Sequence, residues 1–213
     1  MSATTTGTPL SAVSADAAVD AAAAAARRVT VALLRAGGAA PGLEEITARL
    51  EEVAERLEAA APPLDERQAQ LWEGGGAHRH DPVTGTENAI APPLVLHGQE
   101  DGSVEGTVTL DLPYQGPPGH VHGGVSALLL DHTLGVANGW AGTSGMTAEL
   151  TLRYHRPTPL FEPLVVTGRQ VFVEGRKIRT EGAITAGGRL CVSAEGLFID
   201  KHLPRPGRSA TTG

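Results

Sequence analysis

Hydrophobic and polar residues follow two different periods along this chain, with the change near residue 90. Before it the period is helical. Asp16 to Arg35 is Ala-rich, which favours helix, and Gly37-Gly38 stops it. A second helix is predicted from about Pro41 to just before Pro62-Pro63. Its apolar residues Leu43, Ile46, Leu50, Val53 and Leu57 alternate by three and four, a narrow seam, and Glu45/Arg49 and Glu52/Arg56 add pairs four apart. Such a seam must bury against the main domain, the first helix or a partner chain. Residues 1–15 are rich in Thr, Ser, Ala, Gly and Pro and read as a disordered start.

Beyond the polar, Gly- and Pro-rich stretch 74–93 the period becomes two. Val104, Gly106, Val108 and Leu110 alternate with Glu105, Thr107 and Thr109, as in a half-buried strand. Gly123 to about Asn138 is the exception, a helix dense in apolar residues and so buried on most sides. Met146–Tyr154, Leu164–Val173, Arg176–Ala186 and Arg189–Ile199 complete the strand patterns. Glu174-Gly175 and Gly187-Gly188 are the turns. One long buried helix among strands in meander order predicts an α+β domain, with the helix against one face of an antiparallel sheet. The expected division is a start and helical arm over 1–75, the domain over 76–200, and a polar tail over 201–213.

The densest chemistry lies in Tyr114-Gln-Gly-Pro-Pro-Gly-His-Val-His-Gly-Gly124, followed by Asp131. Gly123 and Gly124 open a helix, where bare N–H groups and a partial positive charge can hold an oxyanion. Asp131 is a lone carboxylate in an apolar helix. Burying it unpaired is costly, which marks it as a base or a nucleophile. His122 either takes part in catalysis or fixes the loop. His120 and His132 read as structural or solvent-facing, and no fourth ligand accompanies them and Asp131, so no metal is expected.

Composition narrows the classes. The 213 residues carry 17 basic and 24 acidic side chains, for a net charge of −7 without a basic stripe, so neither nucleic acid nor an anionic membrane is an expected partner. One cysteine, Cys191, excludes an internal disulfide and a multi-thiolate metal site. The Ala21–Ala26 run lacks a basic start and is closed by Arg27-Arg28, too short to span a bilayer. A cytoplasmic location is expected.

The loop, the acid at this spacing, and the segments Tyr154-His-Arg-Pro-Thr-Pro-Leu160 and Val173-Glu-Gly-Arg-Lys177 together resemble the hotdog-fold acyl-CoA thioesterases of the phenylacetate-pathway type, including their mammalian mitochondrial relatives. The resemblance covers about Asn88 to Asp200 and leaves the arm outside as an N-terminal helical extension. It implies hydrolysis of acyl-CoA to free acid and coenzyme A, in lipid metabolism, without a further cofactor. It implies a backbone N–H at Gly123 that polarises the thioester, Asp131 as base or nucleophile, a Thr147 hydroxyl positioning water or the acid, and His122 orienting the loop beside Gly124. Several such proteins carry Asn six residues before the His of His-Gly-Gly. Gly116 stands there in this chain, with Gln115 or His120 as substitutes. Glu149 is expected on the face of Thr147 if the alternation holds. Arg153, Arg156, Arg176 and Lys177 are candidates for the phosphates of coenzyme A.

Gly123 and Asp131 are eight residues apart, ~12 Å of helical rise. One carbonyl cannot easily touch both. Two antiparallel copies of the helix would bring them together, so the expectation is a homodimer with composite sites, or a homotetramer built from such dimers. The alternatives are a non-catalytic acyl-CoA-binding hotdog module and a hotdog hydratase or dehydratase. The first would need neither Asp131 nor the Gly-Gly helix start. The second uses an Asp/His arrangement that is not found here.

Overall fold

The computed structural model describes residues 7–11, 16–73, 79–92 and 94–200. The polar tail lies outside them. Seven strands form one antiparallel sheet: β1 (Thr8–Pro9), β2 (Val95–Gly98), β3 (Val104–Thr109), β4 (Met146–Tyr154), β5 (Pro163–Glu174), β6 (Lys177–Ala186) and β7 (Arg189–Ile199). Their order across the sheet is β1-β2-β3-β5-β6-β7-β4. Within the described chain β1 and β4 are therefore the edges.

Among the described residues, α1 (Ala17–Ala36), α2 (Leu43–Ala60) and α3 (Leu64–Glu73) precede the sheet's main body, and α4 (Gly123–Trp140) is held against one face of it. Asp16 caps α1 by accepting from the Ala18 and Val19 N–H groups. Gly37, at φ 52°, ends it. Ala61, extended because it precedes proline, ends α2.

Leu129, Leu130, Leu134 and Ala137 of α4 are fully buried, against Leu164, Val166, Ile184 and Val192 of the sheet. The helix sits close because the sheet is cut away beneath it. A Cβ at Gly182 would lie 2.9 Å from Leu134 Cδ2, and one at Gly196 3.0 Å from Leu134 Cδ1. Helix packed on antiparallel sheet, with a helical arm in front, is the predicted α+β hotdog architecture.

Four features differ from the periodicity or go beyond it. Residues 8 and 9, expected as part of a disordered start, pair with Gly98 and His97. Leu10 follows them onto the core, its N–H donating to Leu96 O at 2.9 Å. The strand β2 and the helix α3 carried too short a pattern to be read. Within 79–92 the chain is a knitted loop rather than a loose linker: Glu87 is nearly buried between Arg79 (2.8 Å) and His80 (3.0 Å). The α2 seam stays open on the single chain, with Val53 52% and Leu57 67% exposed.

Candidate active site

The loop before α4 is tied at both ends. His122 N–H donates to Tyr114 O at 2.9 Å, Gly116 N–H to His120 O at 2.9 Å, and Val121 N–H to Thr158 O at 2.9 Å. Gln115 and His120 serve this loop: Gln115 Oε1 accepts from Gly119 N–H at 3.1 Å, and His120 Nδ1 lies 3.0 Å from Pro118 O. The loop also accounts for Gly116. A Cβ there would lie 2.8 Å from His122 Cα, so an asparagine does not fit this conformation.

His122 is the N-cap of α4, its Nδ1 accepting from Gly124 N–H at 3.0 Å. Gly124's amide is thus engaged. Gly123 is the first helical residue, and its N–H has no acceptor within the helix. Tyr154, from the far end of β4, donates its hydroxyl to Gly123 O at 2.9 Å. Its ring leaves little room beside the glycine, since a Cβ would meet the hydroxyl at 3.3 Å. Tyr154 was not singled out as a site residue by sequence. Its core-facing place in the β4 alternation was the available signal.

Two turns along, half-buried Asp131 accepts a 2.8 Å hydrogen bond from the Thr147 hydroxyl. Thr147 is presented by a β-bulge. Thr147 pairs with Phe198 but Glu149 pairs with Leu197, which leaves Ala148 as the extra residue. The expected alternation therefore breaks here, and Glu149 is on the opposite face from Thr147. Glu149 shares its outer face with Thr151, whose hydroxyl is 3.5 Å from Glu149 Oε1, and with Arg153. Neither Glu149 nor Arg153 turns toward Asp131.

The other cations fall at two ends. Exposed Arg156 follows β4 at the Tyr154 end, its N–H donating to Cys191 O at 3.3 Å. Lys177 pairs with Ile199, which also pairs with Met146, so it lies in the row next to Thr147. Arg176 spends Nε and Nη2 on Asp200 O, at 3.0 and 2.8 Å. Cys191 is buried.

His132, next to Asp131, faces the 79–92 loop and not His120 or His122. Its Nδ1 donates to Asp81 Oδ2 at 3.1 Å, and Nε2 lies 3.3 Å from the Thr84 hydroxyl. Burial works to raise the Asp81 pKa. The bond and charge of His132 and the N–H groups of Thr84 and Val83 outweigh it and hold the carboxyl below its usual range. Asp131, His132 and Thr147 open onto a cavity of about 690 Å³, with Trp140, Met146 and Phe198 among its apolar walls. An oriented carboxylate beside an apolar cavity, with a bare helix-start amide on the same helix, has the parts of acyl-transfer chemistry.

Similarity to known proteins agrees with the fold. Residues 118–193 match the model of the thioesterase superfamily. Residues 10–66 match one described as hypothetical protein RHA1_ro05818, N-terminal helical domain. The crystal structure of protein RHA08564, a thioesterase superfamily protein, is 59% identical with a TM-score of 0.83, over 93% of this chain and 98% of that one. The chain belongs to the thioesterase superfamily. Acyl-coenzyme A thioesterase THEM4 of Mus musculus is 42% identical over 97 residues, 45% of this chain and 42% of that protein. Its Xenopus laevis counterpart is 37% identical over 90 residues, 41% and 40% of the two. The matched stretch thus spans about two-fifths of the length of these relatives. Among the described residues no helix is long and apolar enough to cross a membrane.

Proposed function

We propose that this protein hydrolyses acyl-CoA thioesters to the free acid and coenzyme A. The observation that carries the reading is Asp131, the one carboxylate of α4, held by Thr147 in the wall of a cavity that Trp140, Met146 and Phe198 also line. Similarity to proteins named acyl-coenzyme A thioesterase supplies the substrate class.

Thr147 occupies Oδ1 of Asp131, which leaves Oδ2 to take a proton from water as that water attacks the thioester carbonyl. Direct attack by the carboxylate would instead form a mixed anhydride with the acyl group, and water would then cleave it. In both routes the carbonyl oxygen gains negative charge, the Gly123 N–H donates to it, and the thiolate leaves as the tetrahedral intermediate collapses. Arg156 and Lys177, both exposed, are the candidates for the phosphates of coenzyme A.

The site is shared between two copies of the chain. With ~12 Å of rise between Gly123 and Asp131, a single helix does not serve one carbonyl. Among the described residues the edge strand β4 has no neighbour on its outer side, and Leu128 of α4 and Met146 of β4 are 40% and 47% exposed. Pairing two β4 edges antiparallel sets two α4 helices side by side and supports a dimer with two sites. The helical arm contributes no member of this acid–base set and is an accessory to it.

Thiol release from a panel of acyl-CoAs, wild type beside Asp131→Asn, tests the activity. A loss of at least about a hundredfold in turnover with the fold intact is expected. Near-normal turnover in the variant removes Asp131 from the mechanism. After a single turnover in ¹⁸O-water, label in Asp131 identifies the anhydride route with water cleaving at the Asp131 carbonyl carbon. Water attacking the acyl carbon labels only the product acid in either route, and trapping the acyl-enzyme then tells the two apart.

A further inference from the structure

The 79–92 loop supplies none of the groups that act on the thioester, yet it grips α4 at the residue next to Asp131. Both nitrogens of His132 are engaged by it, Nδ1 with Asp81 Oδ2 at 3.1 Å and Nε2 with the Thr84 hydroxyl at 3.3 Å. The second oxygen of Asp81 accepts from the N–H groups of Val83 (2.6 Å) and Thr84 (3.0 Å), so the carboxylate is fixed before it meets the imidazole. The loop is packed too tightly to give way. A Cβ at Gly85 would lie 2.5 Å from Asp81 O, and Val83 and Thr84 are buried.

The same loop is held from its other side by the arm. Arg27 of α1 donates to Asn88 O at 2.8 Å and to Thr86 O at 3.4 Å. Asn88 Nδ2 donates to His80 O at 2.9 Å, and His80 precedes Asp81. Arg67 of α3 lies 2.9 Å from His80 Nε2. Every step from the arm to His132 is thus a short polar contact or a peptide bond.

We propose that Asp81 and His132 form a positioning pair for Asp131, and that Arg27 makes the N-terminal arm part of that support. The inference rests on the thioesterase reading above. Successive helical residues point about 100° apart, so His132 can be clamped to the loop while Asp131 faces Thr147. Holding the imidazole at both nitrogens sets the rotation and height of α4. Those two coordinates decide whether Asp131 Oδ1 meets Thr147 and where Oδ2 points. Reacting groups tolerate about 0.5 Å of misplacement, and an error near 1 Å costs about a hundredfold.

Steady-state kinetics on the full-length protein with an acyl-CoA tests it, alongside melting temperatures and a crystal structure of the variant. His132→Leu is expected to lower kcat about tenfold or more and to leave KM within about twofold, as for a group felt only in the transition state. His132→Asn, whose amide can reach Asp81 as Nδ1 does, restores most of the loss. Arg27→Ala gives a smaller loss of kcat, about threefold, that does not add to that of His132→Leu in the double variant. Unchanged kcat per folded molecule in His132→Leu, with only the melting temperature reduced, overturns the proposal. So does full additivity of the two losses. Should His132→Leu not fold, Thr84→Val frees only the Nε2 side and is read in the same way, with about a twofold to fivefold loss of kcat expected and an unchanged kcat counting against the pair. If wild type releases no thiol from any acyl-CoA, the thioesterase reading fails. The pair is then decided by the crystal structure, where an Asp131–Thr147 bond unmoved in His132→Leu counts against it.

Discussion

Thr147 donates a 2.8 Å hydrogen bond to Asp131 Oδ1, and it reaches that oxygen because β4 is bulged at Ala148. Below the bulge the residues in register with the core face are Leu150, Leu152 and Tyr154, opposite Gly196, Ala194 and Val192. An unbroken alternation would send Thr147 to the other face, with Glu149, Thr151 and Arg153. The extra residue turns the hydroxyl onto the helix side.

Thr147→Val keeps the shape and removes the donor. A hydrogen bond to a charged group contributes about 1.5–3 kcal/mol, so a fall in kcat of roughly tenfold or more is expected, while Thr147→Ser stays near wild type. Equal loss in both variants would assign the effect to packing.

Gly123 offers a separation of backbone from side chain. Gly123→Pro deletes the N–H at the first helical position, where proline is tolerated, and His122 already has the extended conformation that a following proline requires. Loss of an oxyanion donor costs roughly a hundred- to a thousandfold in kcat. Gly123→Ala retains the N–H and meets the same Tyr154 hydroxyl, 3.3 Å from the new Cβ. It serves as the control and is expected to lose far less. Similar losses in the two variants would remove the amide from the mechanism.

Shared sites predict complementation. In a mixed dimer of Asp131→Asn and Gly123→Pro chains, one site holds both lesions and the other is intact. Half of an equimolar, exchanged population is mixed, so about a quarter of wild-type activity should return. A mixture that dimerises and exchanges but stays as inactive as its parents would place each site within one chain.

The joint between arm and loop is expected to be acid-sensitive. Burial first, then the charges of Arg67 and Arg79, lower the pKa of His80 against the opposing pull of Glu87. The folded state therefore binds a proton less readily than the unfolded chain. Stability from this group is whole above about pH 6.5, the ordinary imidazole value, and declines as pH falls below it toward the folded value. Melting temperature against pH should show that decline, and His80→Asn should flatten it. A melting temperature that rises as pH drops from 7 to 5, and does so only with His80 present, would reverse the sign.

Much of this was legible in the chain itself. The period-two runs marked β3 to β7 to within a residue or two at most ends, because each strand carries one face for the core and one for solvent. Asp131 stood out because a carboxylate is costly on a helix dense in apolar residues and carrying no other acid. The helix start at Gly123 was written in the residues on either side of it.

What the chain could not show were relationships between segments far apart. The face of Thr147 depends on the register of β4 against β7, some fifty residues later, and one bulged residue reverses the reading of Glu149. That β1 joins the sheet depends on β2, nearly ninety residues away. His132 looked like a solvent-facing or structural neighbour of Asp131 until the fold of 79–92 set Asp81 and Thr84 against it. Periodicity records how each element divides between core and water, which is local. Register, loop closure and the partners of a buried polar group are settled by the energy of pairing distant segments, so only the folded chain decides them.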